Sequence, residues 1–371
     1  MTKKVILYTL QTFSTTGGIQ KMTRTLAHSL HLLAERNNWD FKLWSAYDSN
    51  SDLMPKYLPG KEFRGFKANR ADFVLKTLML KKKPDIIIIS HINLALIGLL
   101  IKIMHPSSKV WLIAHGIEVW RPLSVLKNLF LKQCDKVICV SKFTKQQMIV
   151  RHRTDAAKCE VLNNAVDSFI KLPGVFEKPA ELLTRYGLTA DTPVIFTLTR
   201  LASTEQYKGH DQVIKAISNL KIKFPGIKYI LSGKYDQKEE IRIQKLITLA
   251  AVNDQVILTG FIEEDEITDH FLLADLFVLP SKKEGFGIVF IEALACGLPV
   301  VCGNADGSTD AICNGELGTA VDVDDVAALE NVITDYLENP LTKEKRKDLQ
   351  QECLRHFNEN DYMDKLEKIL S

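Results

Sequence analysis

The sequence predicts an α/β protein with two doubly wound parallel sheets in tandem. The first observation is its length, because 371 residues exceed one ordinary hydrophobic core and suit two domains of about 100–200 residues each. The second is a regular alternation, in both halves, of short Val/Ile/Leu runs with amphipathic helical stretches. The third is a proline-containing segment, 171–193, after which the alternation restarts. We therefore place one domain at 1–170 and the other at 171–354.

In the first half, apolar runs indicate six strands of the kind that a parallel sheet buries on both faces. These runs are Val5–Thr9, Phe41–Ala46, Asp85–Ser90, Val110–His115, Lys136–Ser141 and Glu160–Leu162. Helical stretches separate them, at Gln20–Asn37, Ala71–Lys82, Asn93–His105, Leu123–Gln133 and Lys142–His152. The stretch around Leu94–Met104 is too short to span a bilayer, so we interpret it as a buried crossover helix.

The second half repeats this succession of strand and helix. Its predicted strands are Val194–Thr199, Tyr229–Ser232, Val256–Thr259, Leu276–Pro280, Val300–Cys302 and Thr319–Val321. The last residues, Lys343–Ser371, are helical and charged. Neither half contains G-x-G-x-x-G, which disfavours a nicotinamide-binding dehydrogenase.

The net charge of +3 conceals two halves of opposite character. Residues 1–170 contain 26 Lys and Arg against 12 Asp and Glu, a charge of +14, whereas the rest of the chain carries −11. The first half therefore suits an anionic partner such as a phospholipid leaflet, a polyprenyl-diphosphate-linked sugar or an anionic glycan. Nucleic acid is disfavoured because no recognition motif is interleaved with the basic residues. Attraction between the two domains is the other explanation.

The seven cysteines are isolated, without a C-x-x-C pair, and indicate neither a disulfide nor a zinc framework. The first residues lead directly into a strand, with no signal peptide pattern. We expect a cytoplasmic protein, which the basic first half could hold at the cytoplasmic face of a membrane.

One stretch, 281–299, indicates a ligand site at the end of the strand Leu276–Pro280. Gly285, Phe286 and Gly287 predict a turn that opens a helix, whose free N–H groups and dipole would accept an anion such as a diphosphate. Glu292, further along this helix, could accept hydrogen bonds from two neighbouring hydroxyls, and Glu284 from others. The ligand that fits this stretch has a phosphate in the middle and hydroxyl-rich groups at its ends. Nucleotide sugars have this layout. The alternative is a loop whose glutamates are merely solvated.

Other candidates follow predicted strands, at the sheet edge where doubly wound folds bind ligands. Gly17 and Gly18 open the first helix, and His115 ends a buried strand. Arg200 and Lys208 flank a loop and could stabilise a departing diphosphate. Each candidate also has a purely structural explanation. The glycines would form a plain turn, His115 would be a structural buried histidine, and the two cations would be solvated.

The pattern E-x7-E, with G-F-G inside and A-x-x-C-G-x-P-V-V after it, resembles the donor motif of retaining glycosyltransferases of the GT-B architecture, in particular glycosyltransferase family 4 (glycosyl transferases group 1). The resemblance implies two Rossmann-like domains facing across a cleft, the first binding the acceptor and the second the donor. It also implies that a C-terminal helix, about 355–371, packs back on the first domain. The implied catalytic residues are His115, Arg200, Lys208 and Glu284. The implied donor-binding residues are Gly17, Gly18, Gly233, Phe261, Gly285, Phe286, Gly287, Ile288 and Glu292.

From this resemblance we expect a retaining transferase that moves a hexose-type sugar from a nucleoside diphosphate, with UDP favoured over GDP, to a glycan, lipid-linked or other hydroxyl acceptor. We expect no cofactor and no metal, because no D-x-D ends a strand where the donor would bind and Asp48–Asp52 suggests a plain turn. The loop Asp306–Asp310 departs from the family pattern, and Ser308 and Asp310 there either alter donor preference or are surface substitutions. Alternatives on the same fold are a nucleotide-sugar epimerase or hydrolase, and a catalytically silent nucleotide-sugar-binding subunit.

Overall fold

The computed structural model describes residues 2–80 and 83–371. The chain forms two compact units. One runs to Ser168 and includes Phe357–Ser371, and the other is Phe169–His356. Each unit is a parallel sheet covered by helices, which confirms the predicted fold class.

The bounds of the regular elements are as follows. The strands are β1 (Lys4–Thr9), β2 (Asp40–Ser45), β3 (Phe63–Gly65), β4 (Ile86–Ile89), β5 (Lys109–Ala114), β6 (Lys136–Cys139), β7 (Cys159–Val161), β8 (Val194–Leu198), β9 (Lys228–Ser232), β10 (Val256–Gly260), β11 (Leu276–Leu279), β12 (Val300–Gly303) and β13 (Thr319–Val321). The α-helices are α1 (Gly18–Asn37), α2 (Arg70–Leu78), α3 (Ala95–Met104), α4 (Ile117–Trp120), α5 (Val125–Gln133), α6 (Lys142–His152), α7 (Ala180–Tyr186), α8 (His210–Lys223), α9 (Gln237–Leu249), α10 (Ile267–Leu273), α11 (Ile288–Ala295), α12 (Ser308–Ala311), α13 (Val326–Glu338), α14 (Lys343–Phe357) and α15 (Glu359–Leu370).

The described part of the first unit contains a seven-stranded sheet in the order β3-β2-β1-β4-β5-β6-β7, with every neighbouring pair parallel. The second unit, described throughout, contains a six-stranded parallel sheet in the order β10-β9-β8-β11-β12-β13. In both sheets the chain begins at a central strand and adds strands towards one edge. It then returns to the centre and adds the remaining strands towards the other edge. This reversal leaves the carboxyl ends of two central strands side by side, where doubly wound sheets bind ligands.

The sheets are the centre of both hydrophobic cores. Strand β4 shows this best, because Ile86 to Ile89 are at most 2% exposed. Burying one such side chain contributes about 1.5–3 kcal/mol. A strand buried on both faces is uniformly apolar, and for this reason the Val/Ile/Leu runs located the central strands correctly.

Two differences from the sequence-based expectations concern short elements. Strand β3 was missed because its three residues, Phe63–Gly65, include only one apolar side chain, whereas the equally short edge strands β7 and β13 each contain two. Helix α2 ends at Leu78, before the predicted end at Lys82; Lys81 and Lys82 lie outside the described residues. Helix α3 buries Ile97 and Ile101, as expected of a crossover helix. Across residues 2–80 and 83–371, none of the helices has the length and apolar character needed to cross a bilayer.

Helix α15 belongs to the first unit and packs on α1. His28 Nδ1 lies 2.8 Å from Glu359 Oε1, and Ser29 Oγ donates to the same oxygen at 2.9 Å. Glu359 opens α15 and is only 9% exposed, so these bonds satisfy a buried carboxylate. The interaction fixes the last helix against the first.

Candidate functional site

Lys208 and Glu284 form a buried ion pair at the carboxyl edge of the second sheet. Lys208 ends the 3-10 turn Gln206–Lys208, and the next residue, Gly209, has a φ of 84°. A Cβ at Gly209 would lie 2.2 Å from the backbone oxygen of Pro280, so only glycine fits. Lys208 Nζ lies 2.5 Å from Glu284 Oε1, and the two side chains are 11% and 15% exposed. The residues meet because β8 and β11 are neighbours in the sheet.

The surroundings of Lys208 keep its side chain charged. Burial lowers the pKa of an ammonium, but the Glu284 carboxylate, with help from Glu205 and Tyr207, outweighs burial and raises the pKa of Lys208 above its ordinary value. An ammonium has three N–H donors, one of which Glu284 accepts. The turn therefore holds a fixed cation in a poorly hydrated place, where it interacts strongly with developing negative charge.

Arg200 lies on the same loop but does not join the Lys208–Glu284 pair. Its side chain is 69% exposed and pairs with Glu205. Glu205 in turn accepts a backbone hydrogen bond from Lys208 at 3.2 Å. Arg200 is thus linked to Lys208 through Glu205, as a better hydrated cation.

Asp306 connects the Glu284 loop to the loop that follows β12. Its carboxylate accepts hydrogen bonds from Glu284 N at 2.6 Å and Ser308 N at 2.9 Å, and Gly307 N donates to Glu284 O at 2.8 Å. Burial, with a smaller contribution from Glu284, raises the pKa of Asp306 to about 7. Ser308 and Asp310 are 0% and 8% exposed, so interpreting them as surface substitutions is wrong.

The glycine turn ends with Gly287 as the N-cap of α11, so the helix begins at Ile288, slightly later than expected. Gly287 has a φ of 81°, and a Cβ there would lie 2.5 Å from the Phe290 ring. Phe286 is buried at 2% exposure. Gly285 and Phe286 precede the cap, so all four predicted residues lie at the start of one helix, as the anion-binding hypothesis requires.

Glu292 is the fifth residue of α11 and is 4% exposed. Helix α14 fixes the other end of α11, because Arg346 Nε donates to Gly297 O at 3.0 Å and Gln350 Nε2 to Ala295 O at 2.8 Å. These bonds satisfy carbonyl groups that a helix end leaves without an intrahelical partner. Glu292 therefore lies on a helix that is held at its C-terminal end.

Gly233 joins three strand ends at the same edge. It has a φ of 142°, and a Cβ there would lie 1.6 Å from Thr199 O. Thr199 N donates to Ser232 O at 3.0 Å, and Gly233 N donates to Gly260 O at 2.8 Å. Phe261, which follows Gly260, is 50% exposed. The structure thus places Gly233 and Phe261 on adjacent loops that follow β9 and β10.

In the first unit, His115 directly follows β5 and is held as a neutral ring. Its Nε2 lies 2.7 Å from Ser90 O, and since a carbonyl only accepts, Nε2 carries the proton and Nδ1 is the acceptor atom. Its backbone N–H donates to Glu118 Oε1 at 2.6 Å. Burial lowers the pKa of His115 to about 4, although the Ser90 bond opposes this. The ring can accept a hydrogen bond from a hydroxyl at neutral pH.

Gly17 and Gly18 open α1, and the loop before them is organised by Asp48. This fully buried carboxylate accepts hydrogen bonds from the backbone of Thr12, Phe13 and Ser14 and from the hydroxyls of Ser14 and Ser45. Arg24 Nε donates to Thr12 O, and another guanidinium nitrogen donates to Thr15 O, both at 2.9 Å. Asp48 therefore fixes the loop before α1, and the turn predicted at Asp48–Asp52 contains the 3-10 turn Asn50–Asp52.

Sequence reasoning missed Arg24 altogether and missed the structural roles of Asp48 and Asp306, which it named only as members of a turn and of a loop. The D-G-S order at Asp306 is a signal that could have been used, because Asp side chains accept from the backbone N–H two residues later. Arg24 and Asp48 carry no comparable local signal. Their partners are defined by tertiary structure.

One group with the donor types of a metal site occurs elsewhere in the described chain. Ligand atoms of Cys313, Glu316 and His356 all lie within 4.8 Å of one another. The Arg355 guanidinium, however, lies 3.2 Å from His356 Nε2. A cation next to a ligand nitrogen disfavours a second cation there, and the group includes none of the predicted site residues.

The buried neutral state of His115 predicts an acid-dependent loss of stability. Its folded pKa of about 4 is below the ordinary value of 6.5, so the unfolded chain binds the proton first and stability falls as pH drops from 6.5 towards 4. His115→Gln keeps a donor for Ser90 O but does not titrate. Between about pH 7.5 and about pH 4.5, wild type should lose roughly 2.5 kcal/mol more unfolding free energy than the variant. Urea denaturation at both pH values measures this, and equal losses would contradict the assignment.

Solved structures with similar folds cover nearly the whole chain. A glycosyltransferase from Rickettsia africae aligns over 99% of this chain and 97% of its own, with a TM-score of 0.77 and 20% identity. The Anabaena protein HepE in complex with UDP covers 99% of both chains, with a TM-score of 0.74 and 18% identity. At such identities the likeness concerns the fold, which is GT-B with two Rossmann-like domains.

Curated relatives are more similar in sequence over a shorter span. The GDP-mannose-dependent alpha-(1-6)-phosphatidylinositol monomannoside mannosyltransferase of Mycolicibacterium smegmatis is 32% identical over 237 residues, which are 61% of this chain and 60% of that relative. The Corynebacterium glutamicum enzyme that acts on the monoacylated form of that monomannoside is 28% identical over 250 residues. The match thus spans less than two thirds of the Mycolicibacterium relative's length.

Two family models match the chain, one in each unit. "Glycosyltransferase Family 4" matches residues 16–168, which include Gly17, Gly18 and His115. "Glycosyl transferases group 1" matches residues 182–354, which include Lys208, Glu284 and the glycine turn. The two matches together extend over nearly the whole chain, on a fold shared with solved glycosyltransferases. The chain therefore belongs to the group 1, family 4-like glycosyltransferases of the GT-B fold.

Proposed function

We propose that this protein transfers a hexose-type sugar from a nucleoside diphosphate to a hydroxyl acceptor, with retention at the anomeric carbon. The observation that carries the proposal is the buried Lys208–Glu284 pair, 2.5 Å apart, at the sheet edge where Gly287 opens α11. A pyrophosphate fits the N-terminus of α11, where backbone N–H groups and the helix dipole favour negative charge. Lys208 stabilises the charge that develops on the departing diphosphate.

In this mechanism the leaving phosphate oxygen accepts the proton of the attacking hydroxyl on the same face of the sugar. No side chain then needs to act as an obligate general base. Glu284 accepts hydrogen bonds from hydroxyls of the transferred sugar, and His115, neutral at physiological pH, is able to accept a hydrogen bond from a hydroxyl. Glu292 accepts from the two ribose hydroxyls. Lys208 provides the fixed positive charge that a divalent metal supplies in other transferases, so we propose metal-independent transfer.

For the donor, the names of the relatives favour a guanine nucleotide over the uracil nucleotide expected from the sequence. The 32% identical relative is GDP-mannose-dependent by name, whereas the UDP complex of HepE shares only 18% identity. We therefore propose GDP-mannose as the first donor to test and a UDP-hexose as the second. The acceptor that we propose is a lipid-linked inositol phosphate, since the same relatives are named for phosphatidylinositol monomannosides.

The test combines ligand binding with product analysis. A ligand at a hundred times its dissociation constant adds about 2.7 kcal/mol of stability, so a thermal-shift comparison of GDP, UDP and their sugars identifies the nucleotide. Donor and phosphatidylinositol-containing vesicles are then incubated with and without a chelator, and the anomeric configuration of the product is read by NMR. Loss of activity with chelator, restored by Mg²⁺ or Mn²⁺, would refute metal independence. A free epimerised or hydrolysed sugar as the sole product would favour the epimerase or hydrolase alternative.

Glu292→Ala is expected to weaken donor binding at least about tenfold, because a charge-assisted hydrogen bond contributes about 1.5–3 kcal/mol. The control is Glu338→Ala, which removes an exposed glutamate paired with Lys223 in the same unit. Isothermal titration with the nucleoside diphosphate identified above measures both. If Glu292→Ala bound that nucleotide as tightly as the control does, the ribose assignment would be wrong.

A further inference from the structure

Three neighbouring helices of the first unit expose large apolar side chains. Helix α2 and its C-cap, α3 and α5 carry the following members of this set, which we call the exposed apolar face: Leu75, Leu78, Met79, Leu96, Ile103, Val125, Leu126 and Leu129. Val125 is 87% exposed and Ile103 is 74% exposed. A surface helix of a globular protein usually presents polar residues to water on the side away from the core. These helices instead present apolar side chains there.

The exposed apolar face is built on a rigid support. Helices α3 and α5 pack so closely that a Cβ at Gly98 would lie 2.1 Å from the Phe130 ring. The inner sides of the three helices, including Phe73, Ile97 and Phe130, belong to the core over the sheet. The exposed side chains are therefore a second apolar stripe on helices whose first stripe is already buried.

The charges on these helices are almost all positive. Helices α3 and α5 contain no acidic residue, and the one acid of α2, Asp72, lies 3.4 Å from Arg64. Lys76 and Lys132 lie on α2 and α5, and Arg121 and Lys83 are exposed on the connections next to α5 and α2. Lys102 of α3 is withdrawn into an ion pair with Asp135 at 2.6 Å, whereas Lys127 of α5 lies between Leu126 and Leu129 and donates to Asn93 Oδ1.

Exposed apolar side chains interspersed with basic residues fit one kind of partner best. Lysine and arginine near an anionic leaflet contribute about 1 kcal/mol each, while apolar side chains gain by entering the acyl boundary. A second copy of this chain would bring two basic faces together, and like charges would oppose that contact. Lys81 and Lys82 lie outside the described residues.

We propose that the exposed apolar face of α2, α3 and α5 docks on an anionic phospholipid leaflet. This proposal rests on the proposed function, because a lipid-linked acceptor is presented at such a surface. Val125, Leu126 and Leu129 enter the headgroup boundary from α5, and Ile103 enters from α3. The basic residues of the same helices and their connections contact lipid phosphates.

The experiment measures sedimentation of the full chain with vesicles. Vesicles of phosphatidylcholine with about 30 mol% phosphatidylglycerol should bind it, pure phosphatidylcholine should bind much less, and raising salt from about 0.05 M to about 0.5 M should weaken binding. The variant Val125→Glu/Ile103→Glu should lower vesicle affinity at least tenfold. The matched control is Ile222→Glu/Leu249→Glu, which alters side chains of 81% and 75% exposure in the second unit. The control should bind as wild type does.

The outcomes separate this proposal from the proposed function. Equal binding to neutral and anionic vesicles, or an equal loss of binding in both double variants, would overturn the docking surface. It would also be overturned if wild type bound no vesicles and instead formed a dimer that Val125→Glu/Ile103→Glu dissociates and the control does not. Both double variants should keep the nucleotide-induced thermal shift, which shows that they fold. If vesicles bind the protein but no donor yields a transfer product, the proposed function fails and the docking surface stands.

Discussion

Replacing Lys208 with alanine should lower kcat/KM for sugar transfer at least about thirtyfold, which corresponds to about 2 kcal/mol of transition-state stabilisation. The pKa of Lys208 is raised by Glu284 despite burial, so the wild-type side chain carries its charge throughout the neutral range. The substitution removes this fixed charge and leaves Glu284, at 15% exposure, without the ammonium 2.5 Å away. Steady-state kinetics with the donor identified by thermal shift measures the effect.

The control for this prediction is Lys282→Ala. Lys282 also forms an ion pair of 2.5 Å on the loop after β11, with Asp324, but its side chain is 41% exposed. An exposed pair contributes little, so this variant should stay within about twofold of wild type. In Lys208→Ala/Glu284→Gln the unpaired buried charge of Glu284 is also removed. Urea denaturation of this double variant shows how much of any loss of stability in Lys208→Ala comes from that charge. Unchanged kcat/KM in Lys208→Ala would exclude Lys208 from the mechanism.

Gly233→Ala should destabilise the second unit by more than about 3 kcal/mol. The new Cβ would lie 1.6 Å from Thr199 O, and a φ of 142° is a conformation that side-chain-bearing residues rarely adopt. The backbone atom in its way cannot rotate aside, so the strand ends of β8 and β9 must separate. Thermal or urea unfolding, followed for the second unit, measures the effect.

Gly226→Ala is the matched control, because a Cβ there would have no heavy atom within 4 Å. Its unfolding free energy should differ from that of wild type by less than about 1 kcal/mol. If Gly233→Ala were as stable as this control and bound nucleotide as wild type does, the close approach of the two loops would not exist in solution. A stable variant that no longer binds nucleotide would indicate that the loops moved without unfolding the unit.

The central strands could be predicted from the sequence because burial on both faces makes each strand uniformly apolar. Strand β3 could not, since only one of its three residues, Phe63, is apolar. Lys208 and Glu284 were each singled out by local pattern, but their pairing depends on β8 lying next to β11, which no local pattern states. The roles of Asp48 and Arg24 escaped notice because their hydrogen-bond partners are brought to them only by the fold.

The Asp306 carboxylate has a consequence for engineering this family. It binds the backbone N–H groups of Glu284 and Ser308, so the loops after β11 and β12 share one buried anchor. A chimaera in which residues 304–310 were replaced by a segment without this aspartate would leave Glu284 N without its acceptor and displace the residue that we assign to the sugar. In such an exchange the loop after β11 has to be replaced together with the loop after β12.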